Sequence, residues 1–159
     1  MGIDVREAEI GDIPHIVEVW QEFMIMLRRT NPHYWKVKNG RSAFTKYLED
    51  VLAQTEVLVA IAERDKKLIG FCLAHIETLP EWFGSNRIGL IRYLAVSEGN
   101  RGRGVGNQIT TFVKDWFFSF EIKRIELYVL KGLPASKFWT KLGFIEFMDR
   151  RFLEENCTF

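Results

Sequence analysis

The chain has 159 residues, enough for one domain with its own core and without disulfide or metal staples. Apolar residues make up 47% of it and aromatic residues 14%, a globular composition that excludes disordered and fibrous classes. With 22 basic against 21 acidic side chains it is nearly neutral, so neither nucleic acid nor a membrane surface is an expected partner.

The opening residues, Met1-Gly2-Ile3-Asp4-Val5-Arg6-Glu7, hold no apolar signal core, and Arg6 stands where a myristoylation signal needs Ser or Thr. No run approaches the ~18 apolar residues of a membrane span, and a soluble cytoplasmic protein is expected. Cys72 lies within an apolar run and Cys157 in the tail, while His15, His33 and His75 are scattered. This set offers neither a disulfide nor a metal site.

In chain order, residues 3–8 alternate weakly and predict a first edge strand. Asp12 then stands as N-cap with Pro14 in the first turn of a helix whose apolar face is Ile13, Ile16, Val17, Trp20, Phe23, Met24 and Leu27, running to about Arg29. Thr30-Asn31-Pro32-His33-Tyr34-Trp35 interrupts the pattern, because Pro32 cannot continue a helix and pushes Asn31 to extended geometry. A second helix is expected over 42–54, with Phe44, Tyr47, Leu48, Val51 and Leu52 on one face.

Residues 57–62 and 68–76 predict a hairpin across the polar turn Arg64-Asp65-Lys66-Lys67. A loop over 78–86 carries Trp82 and Phe83, a candidate lid or interface, and 88–96 is short, β-branched and apolar, a mostly buried strand. Val105, Ile109, Phe112, Val113, Trp116, Phe117 and Phe120 then trace one face of a helix. Residues 124–129 predict a fifth strand, 134–141 a final helix stopped at Gly143, and 144–152 a last strand. The strand–helix–strand order from 88 to 129 requires a parallel crossover. The expectation is an α/β fold, a single domain over 1–159, with a mixed and mostly antiparallel central sheet flanked by helices.

The chemistry concentrates between the fourth strand and the helix after it, in Arg101-Gly102-Arg103-Gly104-Val105-Gly106. Three alternate glycines let backbone N–H groups approach a ligand with no Cβ in the way. The first N–H groups of the next helix lack intrahelical partners and sit at its positive end, a natural seat for phosphate, and Arg101 and Arg103 add charge at the rim. A P-loop would need Lys-Ser/Thr where Val105-Gly106 stands, and a dinucleotide fingerprint would need its third glycine one residue later. A glycine-rich turn with no ligand is the plain alternative.

This loop, placed after Tyr93-Leu94-Ala95-Val96, resembles the acyl-coenzyme A loop of the GNAT superfamily of N-acetyltransferases, Arg/Gln-x-x-Gly-x-Gly/Ala. A second block agrees: Ala135-Ser136-Lys137-Phe138-Trp139-Thr140-Lys141-Leu142-Gly143-Phe144 resembles the family's Ala-x-x-Phe-Tyr/Trp-x-x-Leu-Gly-Phe segment. The resemblance is strong over residues 88–147 and architectural before that. It implies that Leu94, Ala95 and Val96 hold the pantetheine arm through their backbone, and that Arg101, Gly102, Arg103, Gly104, Val105 and Gly106 hold the pyrophosphate of acetyl-CoA. Tyr34 and Trp35 would stand in the segment that borders the acceptor, as a substrate wall, as core filling or as a dimer contact. Two departures stand out: Val129-Leu130-Lys131-Gly132-Leu133-Pro134-Ala135 lacks the family's Asn near the pantetheine, and Trp139 stands where a tyrosine often protonates the departing thiolate.

An amine of pKa ~10.4 must lose a proton before it attacks a thioester, and a thiolate of pKa ~8.5 leaves more easily with an acid at hand. Glu77 and Glu81, at the end of the third strand and in the loop after it, are the candidate bases, directly or through water, or else solvated surface carboxylates. His75 shares the strand face of Glu77 but reads more readily as structural. Tyr93 and Tyr128, on the two strands that splay around the cofactor in GNAT folds, are the candidate acids, with Glu126 as partner of Tyr128 or a surface carboxylate. The expected activity is acetyl transfer from acetyl-CoA to a primary amine of a small molecule or protein, by direct attack and without a metal. The alternatives are a non-catalytic acyl-CoA-binding regulatory module and a phosphate-ligand binder unrelated to CoA. Trp82, Phe83, Phe152 and Phe159 are the residues that would support a homodimer.

Overall fold

The computed structural model describes residues 2–155; Cys157 and Phe159 lie outside the described residues. In chain order the elements are β1 (Asp4–Glu7), α1 (Ile13–Thr30), α2 (Gly40–Val51), β2 (Val57–Arg64), β3 (Lys67–Thr78), β4 (Arg87–Val96), α3 (Val105–Ser119), β5 (Ile125–Leu127) and α4 (Ala135–Lys141). The five strands form one mixed sheet in the order β1-β2-β3-β4-β5. The first three pairings are antiparallel, and β4 with β5 is parallel, as the crossover through α3 demands.

Alternation along the strands divides the apolar side chains between two cores. Val59, Ile61, Phe71, Leu73 and Ala95 pack under α1 and α2 with Ile16, Trp20, Leu27, Phe44 and Leu48. On the other face Leu58, Ala60, Cys72, Ala74 and Ile91 meet α3 through Val105, Ile109, Val113 and Phe117, and α4 through Trp139. Cys72 is the small buried hydrophobe its run predicted, and burial pushes its thiol well above the usual range.

Local chemistry differs from expectation at three places. Asp12 occupies the N-cap position of α1 but makes no side-chain cap bond there. Its carboxylate accepts instead from the Glu9 N–H at 2.7 Å and from both terminal nitrogens of Arg6, which also reaches Glu63. That pairing with Arg6 is the main reason the Asp12 carboxyl titrates below the usual range, and it ties β1, β2 and the start of α1 together. The second difference is in element ends: α2 spans Gly40–Val51 rather than 42–54, and β5 keeps only Ile125–Leu127 of 124–129.

The third difference is a correction: residues 144–152 form no strand. The segment has the alternation of one, but no neighbouring edge accepts its backbone, and Ile145, Met148 and Leu153 are left largely exposed. It is held by side chains instead. Lys131 pairs with Asp149 at 2.8 Å, Arg124 lies over the Phe147 ring, and His33 meets Phe152. Strand propensity without a pairing partner does not make a strand.

Two strand glycines let α3 lie flush on the sheet. A Cβ on Gly70 would stand 3.0 Å from the Ala95 carbonyl oxygen and 3.1 Å from Ile109, and one on Gly89 would stand 2.5 Å from the Phe117 ring. Because Phe117 is fully buried, its ring has no room to yield. Gly89→Ala is expected to lower stability by about 1–3 kcal/mol through overpacking, whereas Ala at Gly84, which has open space around it, leaves stability nearly unchanged. Urea unfolding of the two variants measures the contrast, and equal midpoints would refute it.

Candidate active site

The site begins at an irregularity in β4. Leu73 pairs with Tyr93 but Ala74 pairs with Ile91, so Arg92 is an extra residue, a β-bulge. Pairing with β5 runs over Gly89, Leu90 and Ile91 and stops at the bulge. Before it, the Gly89 N–H points across to β5 and donates to the Arg124 carbonyl at 2.9 Å. Beyond it the parity is reversed. The Ala95 carbonyl faces Gly70 of β3, and the Ser97 N–H donates to the Ile69 carbonyl. By alternation, the backbone groups of Leu94 and Val96 face the opposite edge, where β5 offers no partner.

This open edge runs into the glycine loop. Gly102 and Gly104 have φ of +71° and +82°, a left-handed geometry that favours glycine, and a Cβ on either would meet nothing within 4 Å. Gly104 is the N-cap of α3, and the helix's first backbone bond runs from the Gln108 N–H to the Gly104 carbonyl at 3.2 Å. The N–H groups of Val105, Gly106 and Asn107 therefore meet no acceptor among the described residues. Gly106 serves the packing of helices instead. A Cβ there would stand 3.1 Å from the Phe138 ring, so its lack of a side chain lets α4 close on α3. Arg101 turns its Nε back onto the Val96 carbonyl at 2.9 Å, bracing the loop against the strand, while Arg103 is exposed with no ion-pair partner among the described residues.

The other side of the bulge gathers polar groups beneath α1 and α2. Tyr93 is half-buried between Phe23 and Phe44, both edge-on to it. Tyr34, from the α1–α2 segment, is also half-buried and lies close enough to feel Tyr93 and Arg92; burial foremost, then Tyr93, raises its pKa. His75 is half-buried on β3. Burial chiefly, and the Arg92 charge next, lower its pKa, with Glu77 acting the other way, so the imidazole is neutral at pH 7. Glu77 itself is exposed near the end of β3, paired in register with Ile88, and Glu81 is exposed in the loop beyond.

Tyr128 immediately follows the last residue of β5 and is 66% exposed. The Arg150 guanidinium stands 5.7 Å from its ring centroid and 5.3 Å from that of Trp35, linking the C-terminal segment to the α1–α2 segment. Glu126 is engaged by Arg124 at 2.6 Å, on the same strand. Trp139 is buried in the α3-side core, edge-on to Phe138 and Phe144. Trp82 and Phe83 are exposed in the β3–β4 loop. The sequence singled out Glu77, Tyr93 and Tyr128 but gave no weight to Arg92, whose position as a bulge depends on strand register. Tyr34 was visible only as part of an aromatic wall.

Among the described residues no three His, Cys, Asp or Glu side chains gather as a metal site, and no helix is long and apolar enough to cross a membrane. The backbone arrangement fits an extended acyl-pantetheine with a pyrophosphate at its end: one unpaired strand edge, then unpaired N–H groups at a helix start with space above them.

The comparisons with known proteins agree with this geometry. No curated protein matches the sequence. Among solved structures, a tetramutant of the BH1408 protein of Bacillus halodurans superposes with a TM-score of 0.81 at 18% identity, over 96% of this chain and 99% of that one. A predicted acetyltransferase of Clostridium acetobutylicum with acetyl-CoA gives 0.78 at 20% identity, over 96% of each chain. The glucosamine-6-phosphate N-acetyltransferase of Arabidopsis thaliana gives 0.75 at 15% identity, over 97% of this chain and 99% of that one. At these identities the likeness is one of fold. The profile of the acetyltransferase (GNAT) family matches residues 20–144, most of the chain, from within α1 to Phe144, and the protein belongs to that family.

Proposed function

We propose that the protein is an N-acetyltransferase that moves an acetyl group from acetyl-CoA to a primary amine by direct attack, without a metal. The observation that carries this reading is the two sets of unpaired backbone groups that β4 and α3 present, the β4 edge beyond Ile91 and the first N–H groups of the helix after the glycine loop. Leu94 and Val96 would line the pantetheine arm, whereas Ala95, expected beside them from the sequence, turns its backbone to β3 and its side chain into the core. Gly102, Arg103, Gly104, Val105 and Gly106 would receive the pyrophosphate, with Arg101 supporting the loop from below. Acetyl-CoA bound there supplies an activated acetyl group as its thioester.

The remaining roles belong to this chain's own side chains. The Leu94 N–H, on the open edge, is the donor for the thioester carbonyl oxygen. Glu77 is the expected base for the incoming amine, and neutral His75, two residues earlier on β3, is the second proton acceptor on that strand. For the acid, Tyr93 stands on the strand that carries the bulge and Tyr128 at the mouth of the splay. Trp139, buried and with an indole in place of a phenol, has no proton to give at neutral pH. A cytoplasmic location is part of this reading, and Trp82 and Phe83 are its expected homodimer contact.

The first test is calorimetric titration of acetyl-CoA and CoA into the parent protein and into Gly104→Glu, whose side chain brings both backbone strain and a negative charge to the pyrophosphate seat. Micromolar binding to the parent and no saturable binding to the variant are expected; absence of binding to both would overturn the proposal. Coenzyme A release with any member of a broad amine panel then establishes transfer. Binding with no turnover on any amine would return the protein to the acyl-CoA-binding module.

Two further outcomes follow from the polar group under the bulge. NMR titration of the His75 imidazole is expected to give a pKa below the ordinary ~6.5, and Arg92→Gln to move it upward. The folded state binds fewer protons than the unfolded chain in that window, so His75 contributes stability at neutral pH that is lost as pH falls through the lowered pKa. An unshifted titration would show that the ring is solvated. With an accepted amine, Glu77→Gln is expected to reduce kcat/KM by ~100-fold or more if it is the general base, whereas an unchanged value there with a comparable loss in His75→Gln transfers the role to His75.

A further inference from the structure

A groove of ≈ 630 Å³ lies between α1 and the segment that leads into α2, outside the cleft described above. Ile25, Pro32 and Val37, with Trp20 and Met24, give it apolar walls. Its charged lining is of one sign: Arg28, Arg29, Lys36 and Arg41 border it, and no carboxylate does. None of these four cations forms an ion pair among the described residues. In a chain of net charge +1, that is a pronounced local excess.

The helix dipoles account for only half of it. Arg28 and Arg29 sit in the last turn of α1, where the partial negative charge of the carbonyls favours them. Arg41 sits in the first turn of α2, the positive end of that helix, with no acidic residue beside it. There a cation is disfavoured unless an anion shares the space. Arg41 is nevertheless held in place, donating to the Gln21 Oε1 at 2.9 Å, and Arg28 is pinned by the carbonyls of Pro32 and Tyr34.

We propose that this groove binds an organic anion: a ring or short chain carrying one carboxylate or phosphate, its body against Ile25, Pro32 and Val37 and its head among the four cations. Guanidinium groups suit both head groups. The volume is that of a small-molecule site, mostly apolar with a few polar groups that fix orientation. One-sign lining with low-dielectric walls concentrates a counter-charged ligand. Inorganic phosphate alone would leave the apolar wall unused, and a neutral compound would leave the cations unpaired. The site is separate from the acetyl-CoA cleft and does not rest on the reading of that cleft.

The test is calorimetric titration of 2-naphthoate, 2-naphthyl phosphate, 2-naphthamide and inorganic phosphate into the full chain and into an Arg29→Gln/Lys36→Gln variant, both positions being exposed. At least one naphthyl anion is expected to bind ~10-fold or more tighter than the amide and than phosphate, consistent with charge-assisted pairing. Whichever anion is tighter identifies the head group. The double variant is expected to lose ~10-fold or more of that affinity while binding acetyl-CoA as the parent does. No saturable binding of either anion, an amide or inorganic phosphate that binds as tightly, or a double variant with parental affinity would each overturn the proposal.

Discussion

Helix α3 rests on the sheet at two residues that have no side chain. With Gly70 beneath Val105 and Ile109, and Gly89 beneath Phe117, the helix lies as close to β3 and β4 as backbone contact permits. Everything at the cofactor end follows from that seating. The chain crosses from β4 to the helix through residues 97–104, with a turn at Glu98–Asn100, and Gly104 completes the entry at a φ of +82°. The helix start thus leaves its first N–H groups without intrahelical acceptors at the same end of the sheet where β4 runs on without β5.

The bulge at Arg92 has the complementary effect. A regular β4 would have kept one parity of backbone groups toward β5 along its length, and the parallel pair would have continued. The extra residue ends that pairing after Ile91 and reverses which residues face the gap. It also places Arg92 beside His75 and Tyr34, where its charge helps hold the imidazole neutral. One inserted residue thereby gives the sheet a backbone-lined slot on its edge and a group of titratable side chains on its α1 face. Bulges beside active sites commonly re-aim side chains in this way.

The segment from the end of α1 to the start of α2 meets both the cleft and the groove. Its Tyr34 packs beside Tyr93, its Trp35 holds Arg150 from the C-terminal segment, and its carbonyls at Pro32 and Tyr34 are fixed by Arg28. The same arginine borders the groove. An anion that engages Arg28 therefore acts on a residue that already sets the position of Tyr34, which gives the two sites a physical connection through one side chain.

Much of this was legible in one dimension. Helical periodicity with Pro14 located α1, the alternate glycines with the apolar face behind them located the turn that opens α3, and the strand–helix–strand order required the parallel pair. These are local or topological properties: side-chain spacing, backbone freedom at glycine, and the length a crossover needs. The tertiary structure decided what depends on register and on neighbours. Whether residues 144–152 become a strand was set by the absence of an edge to pair with, because strand propensity expresses itself only against a partner. Arg92 became a bulge because β3 and β4 slip by one residue there. The His75 pKa is lowered because burial and Arg92 act on it together, and the four cations came to line one groove only when α1 and α2 packed side by side. The sequence alone determined most of the elements and the glycine loop with its left-handed turns. Only the fold, by fixing register, burial and the company each charge keeps, decided which side chains share a site.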